Sequence, residues 1–287
     1  MISLLMPTRS RPAWVERFFS SVIEHSEDLN SVEVVLYIDE DDVGSHHLDN
    51  SKVRVERIIG PRMSMGSYNT ACLERSCGDI VILVNDDMMI KTPGWDEKIK
   101  TLSVEFSDGI YLAYGNDLFK GGKLCTFPIL SRHACRILVD PYPKDYQGAF
   151  IDYHLFDIFQ RLKKMGHKRI RYLDDVVFEH MHFRAGKADK DSVYTQRDRF
   201  GDDPVFVALR NVRVSAAKRL RIAIEEGDTA DIRHRNEIPI IAKTSVLRLT
   251  KAFLFDKSLP ICWRFFLWYW FLGRYAASNG WLRPFVH

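Results

Sequence analysis

The sequence predicts an α/β fold built on a mostly parallel central sheet, and three observations carry that expectation. Short runs of β-branched and aliphatic residues alternate with amphipathic segments. The connections between them are brief, as in repeated β/α units. Acidic residues gather where several apolar runs end, the edge at which such sheets carry their sites.

Taken in order, Ile2 to Met6 is a buried strand and Ala13 to His25 a helix with Trp14, Phe18 and Val22 on one side. Val32 to Ile38 (VEVVLYI) is the second strand, Val53 to Ile59 the third, and Ser67 to Cys77 a helix. Asp79 to Val84 (DIVILV) is the fourth strand, Trp95 to Phe106 a helix, and Ile110 to Tyr114 the fifth strand. The clearest helical period lies in residues 151–165, where Ile151, Leu155, Ile158, Phe159 and Leu162 share one face and Gly166 ends the run. Arg169 to Leu173 and Val176 to Phe178 return to strand character. Arg184 to Asp203 is charged at ten of its twenty positions and lacks an apolar period, which predicts a loop or linker. After Pro204 the pattern is helical. Residues 1–203 are therefore expected to form the α/β domain and 204–287 a helical extension.

Composition narrows the function. The chain has 287 residues, 46% hydrophobic and 28% charged, as expected of a globular protein with one large core. Its net charge of +3 argues against a dedicated nucleic-acid binder. That small value conceals an asymmetry, since residues 205–287 hold 14 Lys and Arg against 6 Asp and Glu. Four of the six tryptophans (Trp263, Trp268, Trp270 and Trp281) fall in the same region. Within it, Cys262 to Phe271 (CWRFFLWYWF) is too short and too interrupted by Arg264 to cross a bilayer. Flanked by Lys251, Lys257, Arg274 and Arg283, residues 246–287 are expected to contain a segment lying on an anionic membrane surface; a helix closing the core or a dimer interface is the alternative. Five scattered cysteines without a CxxC pair signal neither a disulfide framework nor a zinc site. Ile2 to Met6 is too short for a signal-peptide core, so a cytoplasmic protein attached peripherally to the inner face of the membrane is expected.

Chemistry is expected where strands end. Asn85-Asp86-Asp87 follows the fourth strand; consecutive residues in extended backbone point to opposite sides, so one carboxylate faces a given ligand. A hard divalent cation bound by one or two carboxylates plus phosphate oxygens is one use of such a pair, a solvated turn the other. Asp39, ending the second strand, is placed to accept from a base or ribose, while Glu40 to Asp42 reads as a solvated loop. Pro7-Thr8-Arg9-Ser10-Arg11-Pro12 offers hydroxyls and guanidinia to phosphates. Asp152, in the first turn of its helix, is either a general base held ionised by the helix dipole or a helix cap. His180 and His182 share a face after the last strand, where a neutral imidazole beside a carboxylate suits a metal.

The order of these pieces, with Gly66-Ser67-Tyr68-Asn69 opening a helix and Gly148-Ala149-Phe150-Ile151-Asp152 opening another, resembles the GT-A fold nucleotide-sugar glycosyltransferases of the family 2 type over residues 2–182. The resemblance implies a sugar transfer from a nucleotide-sugar donor to a glycan or lipid-linked acceptor, inverting and dependent on Mn²⁺ or Mg²⁺, in cell-surface polysaccharide or lipopolysaccharide synthesis. Thr8, Arg9, Arg11, Asp39, Arg62, Asn69 and Asp86 then fall to the donor nucleotide, Asp87 and His180 (or His182) to the metal, and Asp152 to the general base. Asn85 stands where the family's DxD motif has its first acid, and Ile151 where it has Glu. Gln196 and Arg199 resemble part of the QxxRW motif, with Phe200 for Trp, and Arg184, Lys187 and Lys190 suit the leaving diphosphate. A nucleotidyltransferase shares the sheet and the acidic site but typically has a Gly-rich first loop, and Thr8 to Pro12 has no Gly. A non-catalytic glycan-binding protein is the non-enzymatic alternative.

Overall fold

A computed structural model describes residues 1–181, 186–187, 198–227 and 240–281. Their centre is an eight-stranded sheet in the order β3-β2-β1-β4-β7-β6-β8-β5. Strands β1 (Ile2–Thr8), β2 (Val32–Asp39), β3 (Arg54–Gly60), β4 (Ile80–Leu83), β6 (Leu112–Asn116) and β8 (Ile170–His180) run in one direction. Against them run β5 (Met88–Ile90), paired with β8, and β7 (Ile129–Ser131), inserted between β4 and β6. The sheet is thus mixed while most of its strands share one direction, and their carboxyl ends come to one edge.

Burial explains the order. Every residue of β2 is buried, the mark of a strand covered on both faces, whereas edge strand β3 has only exposed and half-buried positions. Helix α1 (Pro12–His25) begins with Pro12 at its first turn, where the missing N–H costs nothing. It presses Val15, Phe18 and Val22 onto Leu4 and Met6, and Trp95 and Ile99 of α3 (Trp95–Lys100) join the same layer. The opposite face carries α2 (Met65–Arg75), α5 (Arg132–Leu138) and α6 (Ile151–Lys164), then α7 (Asp203–Ala208), α8 (Arg210–Glu226), α9 (Val246–Leu249) and α10 (Ile261–Ser278). A short π-helical turn, Thr250–Leu254, joins α9 toward α10.

Several elements differ from the sequence expectation. The single helix expected over 95–106 is broken at Thr101, whose hydroxyl turns back to the carbonyl of Lys98 at 2.6 Å, and resumes as α4 (Leu102–Glu105). The strands expected at 169–173 and 176–178 are one strand, β8, whose register against β6 jumps from Leu173 to Val177. Strands β5 and β7 have three residues each, too few to give a readable alternation.

The C-terminal helices share the core of the α/β layer. Asp157 of α6 accepts from Arg161 Nε at 2.8 Å, from Arg213 Nε of α8 at 2.7 Å and from Trp263 Nε1 of α10 at 3.0 Å. Asp256, before α10, accepts from Arg161 at 2.9 Å and from Arg210 at 2.7 and 2.8 Å. Asp157, Arg161, Arg213 and Asp256 are all buried. Trp263, Leu267 and Phe271 turn the inner face of α10 onto Phe150, Tyr153, Phe156, Phe206 and Phe253. Among the described residues no helix is long and apolar enough to cross a membrane.

Candidate functional site

The ends of β1, β4 and β8 meet around two carboxylates. Thr8 Oγ1 donates to Asp86 Oδ2 at 3.0 Å and Arg11 Nη1 to Asp86 Oδ1 at 2.8 Å. Asp87 Oδ2 lies 3.2 Å from His180 Nε2 across the sheet. The two aspartates address opposite neighbours, one toward β1 and the other toward β8, but they do so as the central residues of a turn closed by Met88 N donating to the Asn85 carbonyl at 3.1 Å, not as the extended pair expected from the sequence. Both are buried, while Asn85 is exposed. Burial pushes Asp86 up to about 6, with Arg11 opposing and the adjacent Asp87 reinforcing the shift.

Beside them the end of β2 forms a second cluster. Arg9 Nη1 donates to Asp39 Oδ2 at 2.5 Å, and its two terminal nitrogens clamp Asp41 at 2.6 and 2.8 Å. Ser10 N donates to Asp42 Oδ2 at 2.6 Å, from a backbone in the left-handed region at φ 56°. Asp41 and Asp42, expected as a solvated loop, thus fasten the loop after β1. Tyr68 of α2 donates to the other oxygen of Asp39 at 2.5 Å, and its ring lies tilted at 50° to that of Tyr37, 4.7 Å away. Burial, and then the bond to Asp39, raises the Tyr68 phenol well above its ordinary value, so it stays a donor. Asn69 is buried on α2, and Arg62 lies exposed in the loop before it, near enough to Asp41 to bias its charge.

Asp152 lies in the first turn of α6, half-buried. Phe150 is the residue before the helix, and Asp152 Oδ1 accepts from Tyr153 N at 2.8 Å; no side-chain cap closes this end. Cys125 Sγ donates to the Asp152 carbonyl at 3.2 Å. Its neighbour Thr126 donates to Asp117 Oδ2 at 2.6 Å, and the Asp117 carbonyl accepts from His180 N at 3.0 Å. Segment 117–126 therefore links the His180 side of the sheet edge to the start of α6. Arg199 rests over the Phe200 ring at 5.2 Å, and Lys187 donates to Glu179 at 2.7 Å. His182, Arg184, Lys190 and Gln196 lie outside the described residues.

Sequence reasoning missed Tyr68 and Asp117. Asp117 is buried, and its Oδ1 accepts from the amides of Phe119, Lys120 and Gly121 at 3.0, 2.6 and 2.8 Å. The signal was present, because Asn116-Asp117 follows an apolar strand just as Asn85-Asp86 does. Gly66 also gains a reason: a Cβ there would sit 2.0 Å from the Pro143 carbonyl oxygen, so only glycine lets α2 start against segment 142–147.

Among the described residues no group of three or more His, Cys, Asp and Glu converges on one position. Asp87 and His180 offer one carboxylate and one imidazole side by side, which suits Mn²⁺ or Mg²⁺ when phosphate oxygens and water complete the shell. Asp39, Asp41, Asp42, Asp86 and Asp87 outnumber Arg9 and Arg11 at this edge, so a diphosphate entering it needs added positive charge.

No protein-family model matches the chain, and no curated protein does. Several solved structures are similar to it. A mannosyltransferase from Pyrobaculum calidifontis, in complex with GDP-Man and Mn²⁺, is 13% identical, with 79% of this chain and 76% of that one covered and a TM-score of 0.48. Glucosyl-3-phosphoglycerate synthase from Mycobacterium tuberculosis, with Mn²⁺, UDP-glucose and phosphoglyceric acid, is 14% identical over 76% and 80% of the two chains, at a TM-score of 0.48. S. aureus TarS is 14% identical at a TM-score of 0.45; the match takes in 75% of this chain and spans 49% of the TarS chain, about half its length. These likenesses concern the fold alone.

Proposed function

We propose that the chain is a glycosyltransferase that moves a sugar from a nucleotide-sugar donor to a glycan or lipid-linked acceptor. The observation that carries this reading is the division of the carboxylate pair: Asp86 joins Thr8 and Arg11, while Asp87 joins His180. The β1 side then receives the nucleotide. Asp39, held between Arg9 and Tyr68, accepts from the base or ribose, and Arg9, Arg11 and Arg62 supply charge toward the phosphates. Asn69 on α2 supports this pocket from its buried face. A divalent cation held by Asp87 and His180 would neutralise the diphosphate as it leaves.

Asp152 takes the acceptor hydroxyl proton. The freed oxygen attacks the anomeric carbon from the face opposite the leaving group, and the bonding pair departs with the nucleoside diphosphate, which gives inversion. Thermal shift of the intact protein with UDP-glucose, UDP-N-acetylglucosamine and GDP-mannose, each with Mn²⁺, identifies the donor, because ligand binding to the native state raises apparent stability. Asp152→Asn is expected to lower transfer by about 10²–10⁴-fold while donor binding persists. Asp87→Ala is expected to abolish the Mn²⁺-dependent part of donor binding. Failure of all donors to bind, with the protein folded, would sink the reading.

A second observation supports an acceptor at a membrane in cell-surface polysaccharide or lipopolysaccharide synthesis. The outer face of α10 exposes Ile261, Phe265 and Tyr269, and Leu247 and Phe255 beside it are 65% and 69% exposed. Exposed Lys243, Lys251 and Lys257 flank this face, which suits an anionic bilayer surface. Since the inner face of α10 closes the core, deleting the helix would unfold the protein. Phe265→Ser with Tyr269→Ser is the cleaner change. Sedimentation with phosphatidylglycerol vesicles should fall in this variant, and unchanged sedimentation would remove α10 as the contact.

A further inference from the structure

A buried carboxylate far along the chain holds the turn that carries Asp152. Asp202 Oδ1 accepts from Gln147 N at 2.9 Å, and Asp202 Oδ2 accepts from Gly148 N at 2.9 Å and Ala149 N at 2.7 Å. Three successive amides thus converge on one side chain that is 4% exposed. The next residue, Phe150, has φ 70°, a conformation disfavoured for a bulky side chain, and Asp152 follows two residues later. A strained backbone of this kind persists only when its surroundings over-determine it.

Here both sides are fixed. Asp202 grips the amides, while the Phe150 ring stacks on Phe271 at 5.6 Å and meets Phe206 and Trp270 at 5.5 Å. The adjacent Asp203 binds Arg274 of α10 at 2.6 Å, and that guanidinium also lies 5.1 Å from the Phe150 ring. The bland role for Asp202 is to cap its own helix. It occupies the N-cap position of α7, where an aspartate ordinarily accepts from the first-turn amides, yet it makes no such bond and directs its carboxylate to 147–149 instead.

We propose that Asp202 is a positioning residue for the acceptor-activating group, so that the C-terminal helices form a working part of the acceptor site. The clasp fixes the turn 147–150 and thereby the direction in which Asp152 leaves the first turn of α6. This inference rests on the general-base reading of Asp152.

The test uses the full-length protein with Mn²⁺ and whichever of UDP-glucose, UDP-N-acetylglucosamine and GDP-mannose shifts its melting, following donor turnover in wild type, Asp202→Ala, Asp202→Asn and Asp152→Asn. A displacement of about 1 Å at a reacting group costs on the order of 100-fold. Asp202→Ala is therefore expected to lower kcat on the order of 100-fold with donor KM within twofold, and Asp202→Asn, which keeps part of the clasp, to fall between. Hydrogen exchange at residues 147–149 should accelerate in the same order. Should Asp202→Ala fail to fold, the Asn variant carries the comparison. Faster exchange at 147–149 with kcat unchanged would overturn the positioning role, because the turn would be loose without consequence. Unchanged turnover in Asp152→Asn would instead remove the general-base reading, and this inference with it.

Discussion

Replacing Asp157 with Asn should test whether the C-terminal helices and the sheet fold as one unit. The side chain keeps its size, so no cavity forms. What changes is that one buried carboxylate, which accepts from Arg161, Arg213 and Trp263, becomes an amide with a single acceptor oxygen and its own donor. At least one of the three donors then faces an N–H, and two guanidinia that are each 1% exposed lose their shared counter-charge. Breaking a buried pair in this way costs about 3–5 kcal/mol. In a large domain each kcal/mol shifts Tm by roughly 2–4 °C, so a fall of about 6–20 °C is expected. Guanidinium denaturation followed by both tryptophan fluorescence and far-UV circular dichroism gives the measurement. The triple change Asp157→Leu, Arg161→Met, Arg213→Met should recover part of the loss, because it removes both guanidinia together with their shared carboxylate, while Asp256 keeps Arg210 and Trp263 Nε1 loses its acceptor. A loss below about 1 kcal/mol, far under the cost of breaking a buried pair, would refute the reasoning. So would two separate transitions in the wild type, since they would mean that the helices detach from the sheet on their own.

Further outcomes follow from the same physics. Gly66→Ala should destabilise by about 1–3 kcal/mol, as overpacking does, and weaken nucleotide binding through the displaced Tyr68; unchanged denaturation and binding curves would deny the close approach to Pro143. Val139, at φ 68° and ψ −47° after α5, is a β-branched residue in a strained conformation, so Val139→Gly should raise stability by about 1 kcal/mol in the same assay. The pH dependence of Tm without added cation combines opposing contributions. For Asp157 and Asp256, burial opposes ionisation but the arginine partners prevail and lower both pKa values; their stability is present above the unfolded value of about 3.9 and lost as pH falls below it. Asp86, raised to about 6, acts oppositely and removes stability as pH rises from its unfolded value toward 6. Buried His154, held neutral by desolvation, adds stability as pH rises toward its unfolded value of about 6.5, so Asp86 is read against Asp86→Asn: the wild-type Tm should fall relative to that variant between about pH 4 and 6, and a constant difference would contradict the Asp86 environment.

Much of the sheet edge was legible because each strand announces its end. Thr8, Asp39 and Asp86-Asp87 follow apolar runs whose length and β-branching are local properties, and a shared strand direction brings such ends to one edge. Tyr68 was not legible as the partner of Asp39, since nothing in Gly66-Ser67-Tyr68-Asn69 says which helical face turns toward β2. The aromatic run at 263–271 gave its helical character and its basic flanks. It did not reveal that Trp263, Leu267 and Phe271 face inward while Phe265 and Tyr269 face out.

The sequence by itself determined the α/β class, the strands bearing carboxylates at their ends and the basic aromatic character of the C-terminal region. These follow from periodicity, burial preference and charge, which act over a few residues. Only the tertiary structure decided that β7 enters between β4 and β6 and that Asp157 gathers donors from three helices. It also decided that Asp202 holds the turn before Asp152 from 53 positions away. Such contacts arise when separate segments pack to satisfy buried charges and amides. The requirement that they be satisfied is general, but the partner that satisfies each one is set by how the whole chain closes on itself.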